Sequence, residues 1–209
     1  MSAPVEKVRR LLSWRSLHRL VRPGLMLVSV SFVSSPSGCS KSDRLHLLDL
    51  AGQRVNPLER REDQVTVFLF TRSDCPISNR YAPEVRRLWA KFTPLGVAFW
   101  LVYPDPDEAV ATIRQHVKEY EYPCEALRDP QHTLVQRTQV RVTPEAAVFG
   151  PGGQLVYRGR INDRFVDFGK TRAAATQHDL AEALNATLAG RPVANQRTPA
   201  VGCLIEKLP

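Results

Sequence analysis

The clearest hydrophobic pattern is the run Val65-Thr-Val-Phe-Leu-Phe70, which is apolar on both sides of the two-residue strand period and rich in β-branched and aromatic side chains. Such a run predicts a strand buried on both faces. Residues 76 to 92 change period: Tyr81, Val85, Leu88, Trp89 and Phe92 recur at helical spacing, and Val97 to Tyr103 forms a second apolar run. Together these predict a β-α-β unit. Leu45 to Leu50 before Gly52 suggests a short N-terminal hairpin, and Asp107 opens a helix reaching about Glu119. A short helix is expected around Leu134 and Val135, and a hairpin from Ala146–Phe149 to Gln154–Gly159 through Pro151-Gly152-Gly153. A last helix runs from about Gln177 to Leu188, with an extended tail from Gly190. This alternation predicts an α/β protein with a central mixed sheet flanked by helices.

The length of 209 residues, with 43% hydrophobic and 24% charged residues, suits one globular domain with tails and excludes wholesale disorder or a collagen-like chain. A formal charge of +8 invites a nucleic-acid reading, but six of the basic residues precede Cys39, opposed there only by Glu6. The rest of the chain is nearly balanced, so no nucleic-acid partner is expected. Basic residues, then the apolar stretch Leu25 to Val33, then Ser34-Ser-Pro-Ser-Gly-Cys39 follow the order of an export signal. That apolar stretch is short of the roughly 20 residues a spanning helix needs. The boundaries expected are 1–40 for the export signal, 41–190 for the domain, and 191–209 for a tail carrying Cys203. Small residues before Cys39 resemble a bacterial lipoprotein signal, although Pro36 stands where leucine is usual, so acylation of Cys39 and simple cleavage nearby both stay open. An uncleaved leader on a cytoplasmic protein is the plain alternative. The localisation expected is the bacterial periplasm or cell envelope, with membrane contact only through that lipid anchor.

The chemistry centres on Thr71-Arg-Ser-Asp-Cys75-Pro-Ile-Ser78, which places one cysteine between a central strand and a helix N-terminus. An open α/β sheet builds its site at such strand ends. Free amides and the helix dipole stabilise a thiolate there, and the thiolate is the nucleophile. Arg72 and Arg80 are expected to add to that effect and Asp74 to oppose it. A buried, inert cysteine is the competing reading.

The order of strand, Cys75, Pro83 within Tyr81-Ala-Pro-Glu84, and Thr143-Pro144 before a strand resembles the thioredoxin fold. It is closest to the redoxin group of thiol-specific antioxidant proteins, alkyl hydroperoxide reductase-like proteins and exported thioredoxin-like reductases. The resemblance covers residues 44 to 190. It implies a thioredoxin-like fold, a cis-proline at Pro144 facing the active thiol, and a role for Thr143 and Pro144 in positioning the partner. The long spacing from Cys75 to Pro144 fits the extra helix of redoxins, and Gly153 and Gly159 match their hairpin. Two departures stand out. Ser78 replaces the second cysteine of the Cys-x-x-Cys pair, so the vicinal site has one thiol. The positions that hold threonine or serine and proline in peroxiredoxins, three and seven residues before the reactive cysteine, are Arg72 and Phe68.

The function these residues imply is a thiol-disulfide oxidoreductase acting through Cys75 on a disulfide-bearing protein, with an unidentified thiol as electron donor. A peroxidase with peroxide as substrate, or a redox-inert binding module, are the alternatives. No cofactor or metal is expected: His18 is in the leader, and His46, His116, His132 and His178 lack ligand spacing and read as surface or capping residues. Cys124, in Tyr122-Pro-Cys-Glu-Ala-Leu127, reads as a small core residue beside a short edge strand. The polar stretch from Arg158 to Arg172 reads as a solvated loop rather than a substrate lid. Cys203 sits in Gly202-Cys-Leu-Ile205, oddly apolar for a free tail, and is expected to dock and resolve Cys75. An inert anchor or a cysteine pairing between chains is the alternative.

Overall fold

The computed structural model describes residues 45–59 and 64–208. The expected export signal and Cys39 lie outside the described residues.

The chain begins with the hairpin β1 (Leu47–Asp49) and β2 (Arg54–Val55), followed by β3 (Thr66–Phe70), α1 (Pro76–Phe92) and a 3-10 turn at Thr93–Leu95. Next come β4 (Ala98–Tyr103), α2 (Val110–Glu119), β5 (Glu125–Arg128), α3 (Thr133–Thr138) and β6 (Val142–Thr143). The order closes with β7 (Glu145–Phe149), β8 (Leu155–Gly159), β9 (Phe165–Asp167), β10 (Lys170–Thr171), α4 (Asp179–Leu188) and β11 (Cys203–Leu204). Seven strands form one mixed sheet in the order β2-β1-β5-β4-β3-β7-β8. β3, β4 and β5 run parallel, while β7, β8, β1 and β2 are each antiparallel to their inner neighbour.

All five residues of β3 are buried because both faces of the sheet are covered. Val67 and Leu69 face a core shared with Tyr81, Val85 and Leu88 of α1, Ile113 of α2 and Leu180 and Leu184 of α4. Phe68 and Phe70 face the opposite core, with Val102, Leu127, Leu134 and Phe149. The strand period of two thus divides a continuous apolar run between two cores. Burial of each large apolar side chain stabilises the fold by about 1.5–3 kcal/mol, which fixes the strand end that carries the site.

Three expectations need correction. β5 is an interior strand, not an edge strand: β1 pairs along its outer side, Leu48 opposite Arg128. α2 starts three residues after Asp107, because the Asp105 carboxylate takes the Asp107 amide at 2.9 Å and folds Asp105–Glu108 into a turn. The stretch 158–172 is more ordered than a solvated loop. Asp163 is buried and accepts from the Thr176 amide at 2.7 Å, the Thr176 hydroxyl at 2.5 Å and the Gln177 amide at 2.9 Å, while Phe165 packs on Tyr81 with ring centroids 5.0 Å apart. The tail lies extended along the domain, docked through a parallel bridge from Arg197 to Arg158 and the β11–β6 pair.

Candidate active site

Cys75 is the residue before the first turn of α1, with extended backbone (φ −85, ψ 107) and Pro76 directly after it. Proline fits that first helical position because the missing amide would have no intrahelical acceptor. Nothing acidic occupies the first turn, so the positive end of the helix is uncompensated at the sulfur. The thiol is completely buried, and its Sγ lies 3.0 Å from the Thr143 carbonyl oxygen and 2.6 Å from Cys203 Sγ. Both cysteines are free thiols here.

Burial alone would raise the Cys75 pKa. The Cys203 thiol beside it, and then the nearby Ser78 hydroxyl and amide, outweigh that penalty as donors and hold Cys75 below an ordinary cysteine. Ser78 forms no well-aligned capping bond to the sulfur, and its buried Oγ has no other hydrogen bond, so its hydroxyl is free to turn toward Cys75. The Thr143 carbonyl accepts from the protonated thiol and repels the thiolate, which limits the depression. Cys203 shifts the other way, to about 12, through burial first and then the hydrogen bond and charge of Cys75. The two shifts are opposed, so of the two thiols Cys75 is the one that loses its proton more readily.

The loop opposite Cys75 is built by Thr143 and Pro144, joined by a cis peptide bond. The Glu145 carboxylate, buried directly after this proline, accepts from the Arg141 amide at 2.8 Å and pairs with Arg158 Nε at 3.4 Å. Burial pushes its pKa up, and the Arg141 amide and the Arg158 charge oppose that. The strand β11 pairs antiparallel with β6, Cys203 opposite Thr143 and Leu204 opposite Val142.

The first half of the site rests on a directional chain of hydrogen bonds. Asn79 Nδ2 donates to the Ser73 carbonyl at 3.0 Å, so its Oδ1 must accept from His116 Nε2 at 2.8 Å. His116 Nδ1 is left to accept from the Tyr103 hydroxyl at 2.7 Å. The Ser73 amide donates to Glu108 at 3.0 Å. His116 is buried, and burial lowers its pKa to about 4, consistent with the neutral imidazole this network requires. His132 is also buried, bonded to the Pro104 carbonyl at 2.8 Å. His116 is thus not the surface or capping residue expected, while His132 stands at the N-cap position of α3.

Of the residues singled out from sequence, Cys75, Ser78, Thr143, Pro144 and Cys203 come together. Arg72 is engaged elsewhere: its guanidinium pairs with Asp74 at 3.0 Å and Asp105 at 3.3 Å, and its charge bears on Cys203. Arg80 is exposed on α1, turned outward by the helix, and is not among the main influences on the Cys75 thiol. Cys124 is buried and pushed up to about 12, a core residue as expected. Glu145, Glu108, Asn79 and His116 escaped sequence reasoning. A charged residue beginning the apolar run Glu145-Ala-Ala-Val-Phe149 was the signal for the first. The others had none.

A thiol at a helix N-terminus, facing a cis-proline loop at the end of the central strand of a mixed sheet, defines a thioredoxin-fold redoxin, an oxidoreductase acting on thiols. The chain belongs to the AhpC/TSA family, whose model matches residues 42–158. Its structure is similar to that of an uncharacterized conserved protein from Geobacillus kaustophilus, at 25% identity and a TM-score of 0.67 over 79% of this chain and 89% of that one. A hypothetical protein from Sinorhizobium meliloti is similar at 23% identity and a TM-score of 0.67, over 78% of this chain and 90% of that one. A structure described as MTB dsbF in mixed oxidized and reduced forms shares the fold at 18% identity and a TM-score of 0.50, over 68% of this chain and 96% of that one. No curated protein matches the chain.

Proposed function

We propose that this protein is an exported thiol-disulfide oxidoreductase in which Cys75 is the nucleophile and Cys203 the resolving thiol. The observation that carries this reading is the position of Cys203 Sγ, 2.6 Å from Cys75 Sγ and held there by β11. The division of labour follows from the opposed pKa shifts. The Cys75 thiolate attacks a substrate disulfide, forming a mixed disulfide and expelling one substrate sulfur, which takes up a proton. With Cys75 now uncharged, the two contributions it makes to the raised Cys203 pKa vanish, and Cys203 loses its proton more readily. Its thiolate attacks Cys75 Sγ and releases the second substrate sulfur. The substrate gains two electrons and the Cys75–Cys203 pair becomes a disulfide, which an external thiol donor must reduce.

Export is supported by the basic, apolar, small-residue order of residues 1–40, and a compartment that permits disulfides suits a resolving pair. On this reading residues 41–190 form the redox domain and 191–209 the tail that delivers Cys203. Mass spectrometry of the protein recovered from its native host tests the leader: a chain starting at an acylated Cys39 is the lipoprotein outcome, and a chain still carrying Met1 refutes export.

Turnover on a protein disulfide with a thiol reductant tests the mechanism. Wild type should cycle, Cys75→Ser should not, and Cys203→Ser should stop after one turnover with Cys75 trapped in a mixed disulfide. Normal cycling by Cys203→Ser would refute the resolving role. Peroxide consumption exceeding disulfide reduction would replace this substrate class. Arg72, at a position where peroxiredoxins carry a hydroxyl residue, is engaged by Asp74 and Asp105 and offers no support for peroxide.

A further inference from the structure

Resting on that reading, the structure poses a problem of access. The sulfur fitted to attack is fully buried, and the sulfur that covers it is held protonated. Cys203 covers this sulfur at 2.6 Å and the Thr143 carbonyl lies 3.0 Å from it, so a substrate disulfide that reaches Cys75 must displace part of that cover.

The tail is fastened unequally on the two sides of that point. Upstream, Thr198 is clamped to β8: the Arg158 amide donates to the Gln196 carbonyl at 2.9 Å and the Thr198 amide to the Arg158 carbonyl at 3.1 Å. The Thr198 hydroxyl bonds Tyr157 at 2.7 Å and the Arg160 amide at 3.1 Å. Gly159 makes the clamp possible, because any Cβ there would overlap Thr198 backbone and side chain. Downstream, the backbone is held by the two-residue β11 pair and the Ile205 amide on the Arg141 carbonyl, at 2.9 Å, while Val201 and Cys203 pack at the edge of one core, Ile205 at the edge of the other, and Leu204 is 72% exposed. The segment from Pro199 onward can lift while Thr198 stays fixed, giving up these few hydrogen bonds and the edge packing of Val201, Cys203 and Ile205.

Beside the site itself, the backbone of Gly202 lies directly against the cis-proline loop. A Cβ on Gly202 would overlap the carbonyl oxygen and carbon of Thr143 and lie 3.1 Å from Pro144 N. These are backbone atoms in a loop braced by the buried Glu145, so they cannot yield as a flexible side chain would.

We propose that residues 199–208 are a hinged strand occupying the protein's own substrate track, and that the vacated track admits an external disulfide-bearing strand only when glycine precedes the attacked cysteine. The partner class is thus an extended Gly-Cys segment whose backbone pairs with β6 as Val201 to Leu204 do now. In the capture step, Cys75 sulfur bonds to the segment's cysteine sulfur and the bond to that cysteine's former partner breaks, the partner leaving as thiolate.

The test uses full-length Gly202→Ala, which unseats the strand without touching either cysteine. Peptide-mapped alkylation of Cys75 should be at least about tenfold faster in this variant than in wild type, with unchanged thermal unfolding. Two peptides, Thr-Pro-Ala-Val-Gly-Cys-Leu-Ile and its Gly→Ala version, each activated as a mixed disulfide with thionitrobenzoate, are then offered to Gly202→Ala and, separately, to full-length Cys203→Ser. Release of the coloured thiolate should be at least about tenfold faster with the glycine peptide in both proteins. Equal rates with the two peptides, or equal Cys75 alkylation in wild type and Gly202→Ala, would overturn the inference and leave Cys75 as nucleophile intact. Capture of neither peptide on Cys75 would overturn both.

Discussion

Cys75 and Cys124 are both buried, yet one is held below the ordinary thiol range and the other is pushed to about 12. Cys124 sits among ring systems: Tyr122 and Tyr103 are close enough for its charge to raise theirs, and His116 stacks near Tyr122 with centroids 5.5 Å apart. Apart from a backbone hydrogen bond of its own, it gains nothing to offset desolvation. Cys75 suffers the same penalty, but a thiol from the tail and the hydroxyl and amide of Ser78 converge on it at a helix N-terminus. Burial therefore does not decide whether a cysteine is reactive. The donors aimed at it do.

The largest effect that would break this comparison is on activity. Cys75→Ser should cut steady-state disulfide reduction by about three orders of magnitude or more, whereas Cys124→Ala should leave it within about twofold. Comparable losses from both would mean the two environments differ less than their geometry says.

The aromatic region should instead govern acid stability. The folded pKa of His116, about 4, lies below the unfolded value near 6.5, so the unfolded chain binds more protons between those values. The stability owed to neutral His116 is complete above about pH 6.5, falls as pH drops and is gone below about pH 4, a loss of about 3 kcal/mol. Urea unfolding of wild type and His116→Gln across that range checks it: the substitution should flatten the slope, and an unchanged slope would move the effect elsewhere.

Smaller shifts sharpen the account at Cys75 itself. Cys203→Ala should raise the pH midpoint of Cys75 alkylation, while Cys203→Ser, which keeps a hydroxyl donor, should recover part of the depression. Ser78→Ala should raise that midpoint by less than Cys203→Ala does, by less than about one unit. The opposite order would assign the thiolate mainly to the helix end.

The strand-helix unit around Cys75 was legible because Val65 to Phe70 and the spacing from Tyr81 to Phe92 are local patterns; α1 spans the residues expected from them. Thr143-Pro144 and the apolar Gly202-Cys-Leu-Ile205 were legible as motifs. What the sequence could not reveal is pairing at long range. His116 looks like any histidine until Tyr103 and Asn79, 13 and 37 residues away, are brought against it. Asp163 looks like a loop aspartate until Thr176 and Gln177 fold back on it. Arg72 and Arg80 misled for the same reason, since proximity in sequence to Cys75 says nothing of the carboxylates that engage Arg72 or the outward face that carries Arg80.

The most direct measurement is disulfide mapping of the full-length protein after mild oxidation, digested without reduction. One cross-linked species is expected, the Cys75 peptide joined to the Cys203 peptide within a single chain. Cys203 joined to Cys124 or to a second chain, or Cys75 left as a free thiol, would contradict it.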